Sequence, residues 1–240
     1  LDYNNATDGD ILIAWSLLLG GRRFQNEAYR GQAGEIIRSI RENVVIQRRG
    51  RLWVLPAYYG FVLKEGEVFN PSYWIFPAFK DFAALEEPQS WRKVYEDSLE
   101  ALKSLAFGKL GLPADWVVVK ESGASVFEEK SRSFGYEAVR TLLHLAWDGS
   151  LRAQAAPKAL LEMCRKLGYA PLNVDLILDN ISLEEGPAGF YAVYARMAKD
   201  LGETELSRSF FQRAAQKIQG EKDDYYSHTL YLLSRSEFKP

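Results

Sequence analysis

The sequence is poorest in the residues that crosslink chains or hold metals. It has one cysteine, Cys164, and two histidines in 240 residues. A single cysteine excludes an intrachain disulfide. Its place beside Met163 in a helical pattern reads as a buried thiol. His144 and His228 lack metal-ligand spacing, so core or surface roles account for them. No metal and no cofactor is expected. An excess of basic charge is also missing. Thirty Lys and Arg stand against 32 Asp and Glu, for a formal net charge of -2. Such a chain lacks the basic face that releases phosphate counterions, so no nucleic-acid partner is expected. A neutral ligand stays open. No apolar run is long enough to cross a bilayer, so no membrane insertion is expected. No signal peptide is visible. The first residue is Leu1 rather than Met, which reads as an upstream segment removed or omitted and is compatible with a secreted precursor. There is no P-loop, dinucleotide fingerprint, Cys-x-x-Cys pair or Ser-His-Asp arrangement.

What is present is apolar and aromatic. Hydrophobic residues make up 47% of the chain, enough for a large core, and the aromatics include six Trp and thirteen Tyr. Aromatic faces suit sugars, because pyranose rings present apolar C–H patches. Most of these rings are nevertheless expected in the core.

The pattern along the chain is helix after helix. Ile11, Trp15, Leu18 and Leu19 recur at helical spacing over 8–20, and 26–43 is an amphipathic partner with Ala28, Ile36, Ile37 and Ile40 inside. Further helices are read at 71–86, 88–106, 133–147, 154–167, 187–201, 203–219 and 223–234. Gly168, Gly202 and Gly220 stand where C-terminal caps belong. Val44–Gln47 and Leu52–Leu55 predict a hairpin around Arg49-Gly50. Trp116–Val119 and Val174–Leu178 read as extended. Lys120–Ser133 reads as a long polar loop. The order implies stacked helical hairpins, in an open solenoid or a closed α/α toroid.

One segment exceeds structural need. Asn4-Asn5-Ala6-Thr7-Asp8-Gly9-Asp10 opens directly into the first helix. Thr7 or Asp8 is a fair N-cap, and two acids suit the positive end of a helix. A cap does not explain two carboxylates around a glycine, preceded by Asn-Asn. Ala6-Thr7-Asp8-Gly9-Asp10-x-x-Ile13-Ala14-x-Ser16-Leu17-Leu18 resembles the signature of glycoside hydrolase family 8, with Gly20 and Phe24 a mild departure further along. Three more segments agree in order and spacing. Asn70-Pro71-Ser72-Tyr73-Trp74 resembles the family's [ND]-P-S-Y segment. Leu112-Pro113-Ala114-Asp115-Trp116 resembles its P-D-W segment. Gly135-Tyr136-Glu137-Ala138-Val139-Arg140 resembles its Y-D-A-x-R segment.

The resemblance implies an all-α (α/α)6 barrel with small β excursions, formed as one catalytic domain over 1–240 and incomplete at its N-terminus. It implies an inverting endo-β-1,4-glucanase acting on cellulose or a related β-glucan. Asp8 then lies at the scissile sugar and Glu137 takes the place of the base aspartate, one methylene longer. Arg140, one turn on, holds the Glu137 carboxylate ionised. Asp10, Tyr73, Trp74, Asp115, Trp116, Tyr136 and Arg140 are expected to bind substrate. A branch of the family draws its base from the preceding loop, where Glu121, Glu128 and Glu129 lie here. The Asp8 and Glu137 carboxylates are expected within about 10 Å of each other.

The family's general acid sits in an upstream S-E-G-x-x-Y-G segment that this chain lacks. Glu65-Gly66 and Glu185-Gly186 have the wrong flanks. The shortfall of about three helices implies an excised piece or a degenerate protein, with an exposed apolar edge near residues 1–20. A β-glucan is the expected partner, with the cellulose synthesis machinery a further one, in the periplasm or secreted. The competing readings are a glucan-binding relative without activity, a hydrolase of chitosan, xylan or mixed-linkage glucan, and a helical-repeat scaffold.

Overall fold

A computed structural model describes residues 3–237 of the chain. The chain divides into two compact units. The first runs through the described residues to Ser104 and adds Val117–Ser125. The second comprises Leu105–Trp116 and the described residues from Val126 on.

The first unit begins with α1 (Thr7–Phe24) and α2 (Glu27–Asn43). Asp8 and Asp10 in the first turn of α1 and Arg22 and Arg23 in its last match the helix dipole. The N-cap is Ala6 and offers no side-chain acceptor, so neither Thr7 nor Asp8 caps as expected. Thr7 instead lies inside the first turn, and its amide donates to the Pro56 carbonyl at 3.0 Å. Asn26 caps α2 through the amides of Ala28 and Tyr29. Ile11, Ala14, Trp15 and Leu18 of α1, and Ala33, Ile37 and Ile40 of α2, are buried. The helices meet closely at Gly21, where a Cβ would lie 2.7 Å from Arg30 Cγ. The other side of α1 is apolar and open: Ile13 is 55% and Phe24 71% exposed. This matches the edge expected near residues 1–20, of which Leu1 and Asp2 lie outside the described residues.

Strands β1 (Val45–Arg48) and β2 (Arg51–Val54) form the expected hairpin, with Arg49 and Gly50 both at positive φ in its turn. A second sheet has the order β3-β4-β5-β6, from Val62–Leu63, Gly66–Phe69, Val117–Lys120 and Gly123–Val126. Its β3–β4 hairpin has no sequence cue, because Lys64-Glu65 is not a favoured two-residue turn. Gly66 is required there, since a Cβ would meet the Val119 carbonyl oxygen at 2.6 Å. The stretch expected as one loop over 120–133 thus contains β6.

The helix expected over 71–86 is divided. Pro71–Tyr73 is a 3-10 turn and α3 covers Phe76–Ala83. Pro77 has no amide hydrogen to give the Tyr73 carbonyl, so a helix restarts at this residue rather than running through it. Phe79 and Phe82 of α3 pack on Trp91 of α4 (Pro88–Ser104) at ring separations of 5.7 and 5.1 Å. Asp81 ties α3 to α1, accepting from Trp15 Nε1 and from Arg22, each at 2.7 Å.

The second unit is built on α7 (Ala188–Asp200), buried from Ala188 through Ala198. Helices α5 (Ala138–Asp148), α8 (Thr204–Lys217) and α9 (Tyr225–Leu233) pack against it. Gly189 lets α9 approach, since a Cβ would reach Ser227 Cα at 3.0 Å. Helix α6 (Ala156–Leu167) carries the buried Cys164. Burial pushes that thiol's pKa up to about 12. A three-stranded antiparallel sheet joins β7 (Ser133–Phe134), β8 (Val174–Asp175) and β9 (Asn180–Ile181). Strand β8 stops early because Asp175 Oδ1 accepts from the amides of Ile177 and Leu178 in an Asx turn. Gly168 and Gly202 take the left-handed φ expected of C-terminal caps, as does Gly149, which the sequence pattern did not flag. Gly220 is a correction: its amide returns to Lys217 in an ordinary turn, without positive φ. Among the described residues there are nine α-helices with small antiparallel sheets. None is long and apolar enough to cross a membrane.

Candidate active site

In the first unit, the segment before α1 is fixed by its asparagines. Asn4 accepts from the Tyr59 amide at 3.1 Å and donates to the Tyr59 carbonyl at 3.0 Å. Asn5 accepts from the Tyr58 amide at 2.8 Å and donates to Asp10 Oδ2 at 2.7 Å. The Asn-Asn pair therefore clamps the Pro56–Gly60 loop to the start of α1. Asp10, partly exposed, anchors that clamp. Asp8 is partly exposed in the first helical turn, where its Oδ1 accepts from the Gly9 amide at 2.9 Å.

Tyr73 and Trp74 part company. Tyr73 ends the 3-10 turn, partly exposed. Asn70 shapes that turn, accepting from the Ser72 amide at 3.0 Å and from the Ser72 hydroxyl at 2.7 Å. Trp74 is fully buried, and its indole N–H donates to the Val54 carbonyl. Its expected place at the substrate is corrected: the ring packs edge-on against Trp53 and beside Phe69 in the core.

In the second unit, the expected residues gather at the start of α5. Asp115 is buried, with Oδ1 accepting from the amides of Gly135 at 3.0 Å and Ala138 at 2.8 Å. Oδ2 accepts from the Ser131 hydroxyl at 2.9 Å. Asp115 is thus a side-chain cap that pins the backbone on both sides of Glu137, and the expectation that it touches substrate is corrected. Burial raises its pKa against these three hydrogen bonds, and the charge of Glu137 adds to the rise. Gly135 must stay small, because a Cβ would press on Asp115 Oδ2 at 3.0 Å. Trp116 is partly exposed, with the Lys130 ammonium 4.3 Å from its ring centre.

Glu137 is the N-cap residue of α5, and its carboxylate is one-third exposed. Arg140 forms an ion pair with it from one turn along. Tyr136 is 49% exposed and stands edge-on to Phe190 and Tyr226. The Tyr226 hydroxyl donates to the Tyr136 carbonyl. Burial raises the Tyr226 phenol pKa above its usual range, opposed by Arg140. The sequence did not single out Tyr226 as a neighbour of this cluster, since Tyr225-Tyr226 in a short helix carries no motif. The loop acids Glu121, Glu128 and Glu129 are exposed, while Glu185 is held by Tyr191, Arg213 and Lys217.

These features define a helical-hairpin protein with a carboxylate–arginine centre at a helix start and exposed aromatic rings beside it. The profile of the glycosyl hydrolases family 8 matches residues 1–237, and the chain belongs to that family. An endoglucanase of Cellulomonas uda is 35% identical over 157 residues, covering 65% of this chain and 44% of that protein. One from Salmonella typhi is 30% identical over 245 residues, covering 98% of this chain and 63% of that protein. Endoglucanase Cel10 of Klebsiella pneumoniae, a family 8 glycosyl hydrolase, superposes with a TM-score of 0.83 at 30% identity, over 97% of this chain and 72% of that one. The endo-β-1,4-glucanase CMCax of Acetobacter xylinum gives 0.82 at 27%, over 97% and 70%. The chain spans from 44% to 63% of the length of such curated relatives. Family 8 structures are (α/α)6 barrels, the fold class expected from the resemblance.

Proposed function

We propose that the protein is an endo-β-1,4-glucanase that cleaves cellulose or a related β-glucan with inversion. Glu137 takes a proton from the attacking water, which adds to the anomeric carbon as the glycosidic bond breaks. Asp8 acts at the scissile sugar. In such enzymes the acid and base stand roughly 6.5–9.5 Å apart to admit the water. No residue of this chain is assigned to the acid that protonates the leaving oxygen. Arg140 orients the base, and Tyr73, Trp116 and Tyr136 offer exposed ring surface to sugar. The two units are taken as parts of one catalytic domain over 1–240, because the family match runs through both. Action in the periplasm or outside the cell, beside the cellulose synthesis machinery, follows from the same reading.

The observation that carries the proposal is the held Glu137. Asp115 fixes its backbone on both sides, and Arg140 pairs with its carboxylate. A base needs that preorganisation. One feature favours a glucan-binding relative without activity: a glutamate stands where the family usually has the shorter aspartate. Hydrolysis of soluble carboxymethylcellulose by the native full-length protein decides between them, with product anomers followed by NMR; the 240-residue chain alone should be nearly inactive, because it has no assigned acid. Asp8→Asn and Glu137→Gln should each lose at least about a hundredfold in rate while melting normally. Full activity in Glu137→Gln would move the base to the loop acids.

A further inference from the structure

The direction in which a side chain leaves the backbone is set by the two planar peptide groups that meet at its Cα. For Glu137 these are the 136–137 and 137–138 peptides. Asp115 holds the second, accepting from the Ala138 amide at 2.8 Å. The first is held from another helix. In a regular helix the Tyr136 carbonyl would accept from the Arg140 amide, four residues on. That amide donates instead to the Glu137 carbonyl at 3.1 Å, as in a 3-10 turn. The Tyr136 carbonyl receives the hydroxyl of Tyr226, from α9, 90 residues along the chain.

Tyr226 is itself anchored. Its ring stands edge-on to that of Tyr136, with centres 5.5 Å apart. Asp224 caps α9 by accepting from the Ser227 amide at 3.1 Å. Past the far end of α9, the buried Arg196 donates to the Ser234 carbonyl at 3.5 Å and the Ser236 carbonyl at 2.7 Å. A helix secured at both ends gives the hydroxyl a set position. Burial raises the phenol's pKa, so the hydroxyl keeps its proton at neutral pH and remains a donor.

We propose that Tyr226 is a positioning residue for Glu137: its hydroxyl locks the 136–137 peptide and so aims the carboxylate that takes the proton from water. This role rests on the reading of Glu137 as the base of a glucanase. Asp115 and Tyr226 between them set the backbone on either side of the Glu137 Cα, and Arg140 then sets the end of the side chain. A glutamate carries one more side-chain torsion than an aspartate. A tilt at its Cα is therefore carried further at the carboxylate, and the backbone anchor matters more here than beside the shorter residue.

The test is steady-state kinetics of the native full-length protein on carboxymethylcellulose, for Tyr226→Phe, Glu137→Gln and the double variant. Phe keeps the ring against Tyr136, so Tyr226→Phe should melt within about 3 °C of the parent. Its kcat should fall about tenfold with KM held within about twofold, because a misaimed base slows the chemistry without loosening the sugar. In the Glu137→Gln background the Tyr226 exchange should cost less than about twofold, since no base is left to aim. Parental kcat in Tyr226→Phe, beside an inactive Glu137→Gln, would overturn the positioning role and leave the glucanase reading intact. A raised KM at unchanged kcat would put the hydroxyl on the sugar and overturn the role likewise. A tenfold loss that persists in the Gln background would show that Tyr226 does not act through Glu137. If the unsubstituted protein releases no sugar, or Glu137→Gln keeps full activity, the reading of Glu137 as the base fails and the role of Tyr226 fails with it.

Discussion

Asp115→Ala should unfold the start of α5 more readily than any loss of surface charge could. The substitution strips the acceptor from two buried amides, Gly135 at 3.0 Å and Ala138 at 2.8 Å. Water cannot replace it without opening the β7–α5 junction, since Gly135 and Ala138 are both buried. Each orphaned buried donor costs about 1–3 kcal/mol. Against that stands the relief of removing a carboxylate whose burial disfavours its charged form. A net loss of about 2–4 kcal/mol is expected, read from urea melts at neutral pH. Asp115→Asn is the control. Its carbonyl oxygen still accepts from both amides, and its NH2 group can donate to the Ser131 hydroxyl, so it should stay within about 1 kcal/mol of the parent. The pH dependence has a definite sign. A raised carboxylate pKa means that the folded protein binds this proton more tightly than the unfolded chain does. Asp115 therefore favours folding most at acid pH, and that contribution is lost as the pH rises from the unfolded pKa through the raised value. The Asn variant should gain on the parent from acid to neutral pH. Asp115→Ala melting within about 0.5 kcal/mol of the parent would refute the capping argument.

Glu137→Asp should keep or raise the rate on carboxymethylcellulose, because it restores the family's usual residue; a loss as deep as that of Glu137→Gln would show that the longer side chain sets the water. Cys164 should resist iodoacetamide in the native protein at pH 8, since burial pushes its pKa up to about 12, and should label promptly once urea unfolds the chain. Native labelling at the rate of a free thiol would contradict that burial.

The sequence resolved long, periodic elements best. The apolar stripe of α1 and the Asn26-capped start of α2 were legible to within a few residues. Breaks came where one residue overrules a pattern. Pro77 splits the helix expected over 71–86, and the Asp115 carboxylate together with the β7–β8 pairing delays α5 to Ala138. The β3–β4 hairpin escaped notice because its turn residues are ordinary and its partner β5 is distant in the chain. Gly66 was the one local signal, and its purpose appears only with the Val119 carbonyl beside it.

The motifs group residues whose roles the structure divides. Trp74 and Asp115 looked like ligand contacts because they lie inside recognisable segments, yet each is buried and spent on structure: Trp74 on the Val54 carbonyl and the core, Asp115 on the amides flanking Glu137. A motif marks residues that must be fixed together and does not separate those that touch the sugar from those that hold the ones that do. Exposure is what the spacing does not carry: Asp8, Tyr73, Tyr136 and Glu137 reach the surface, while Trp74 and Asp115 from the same segments are buried.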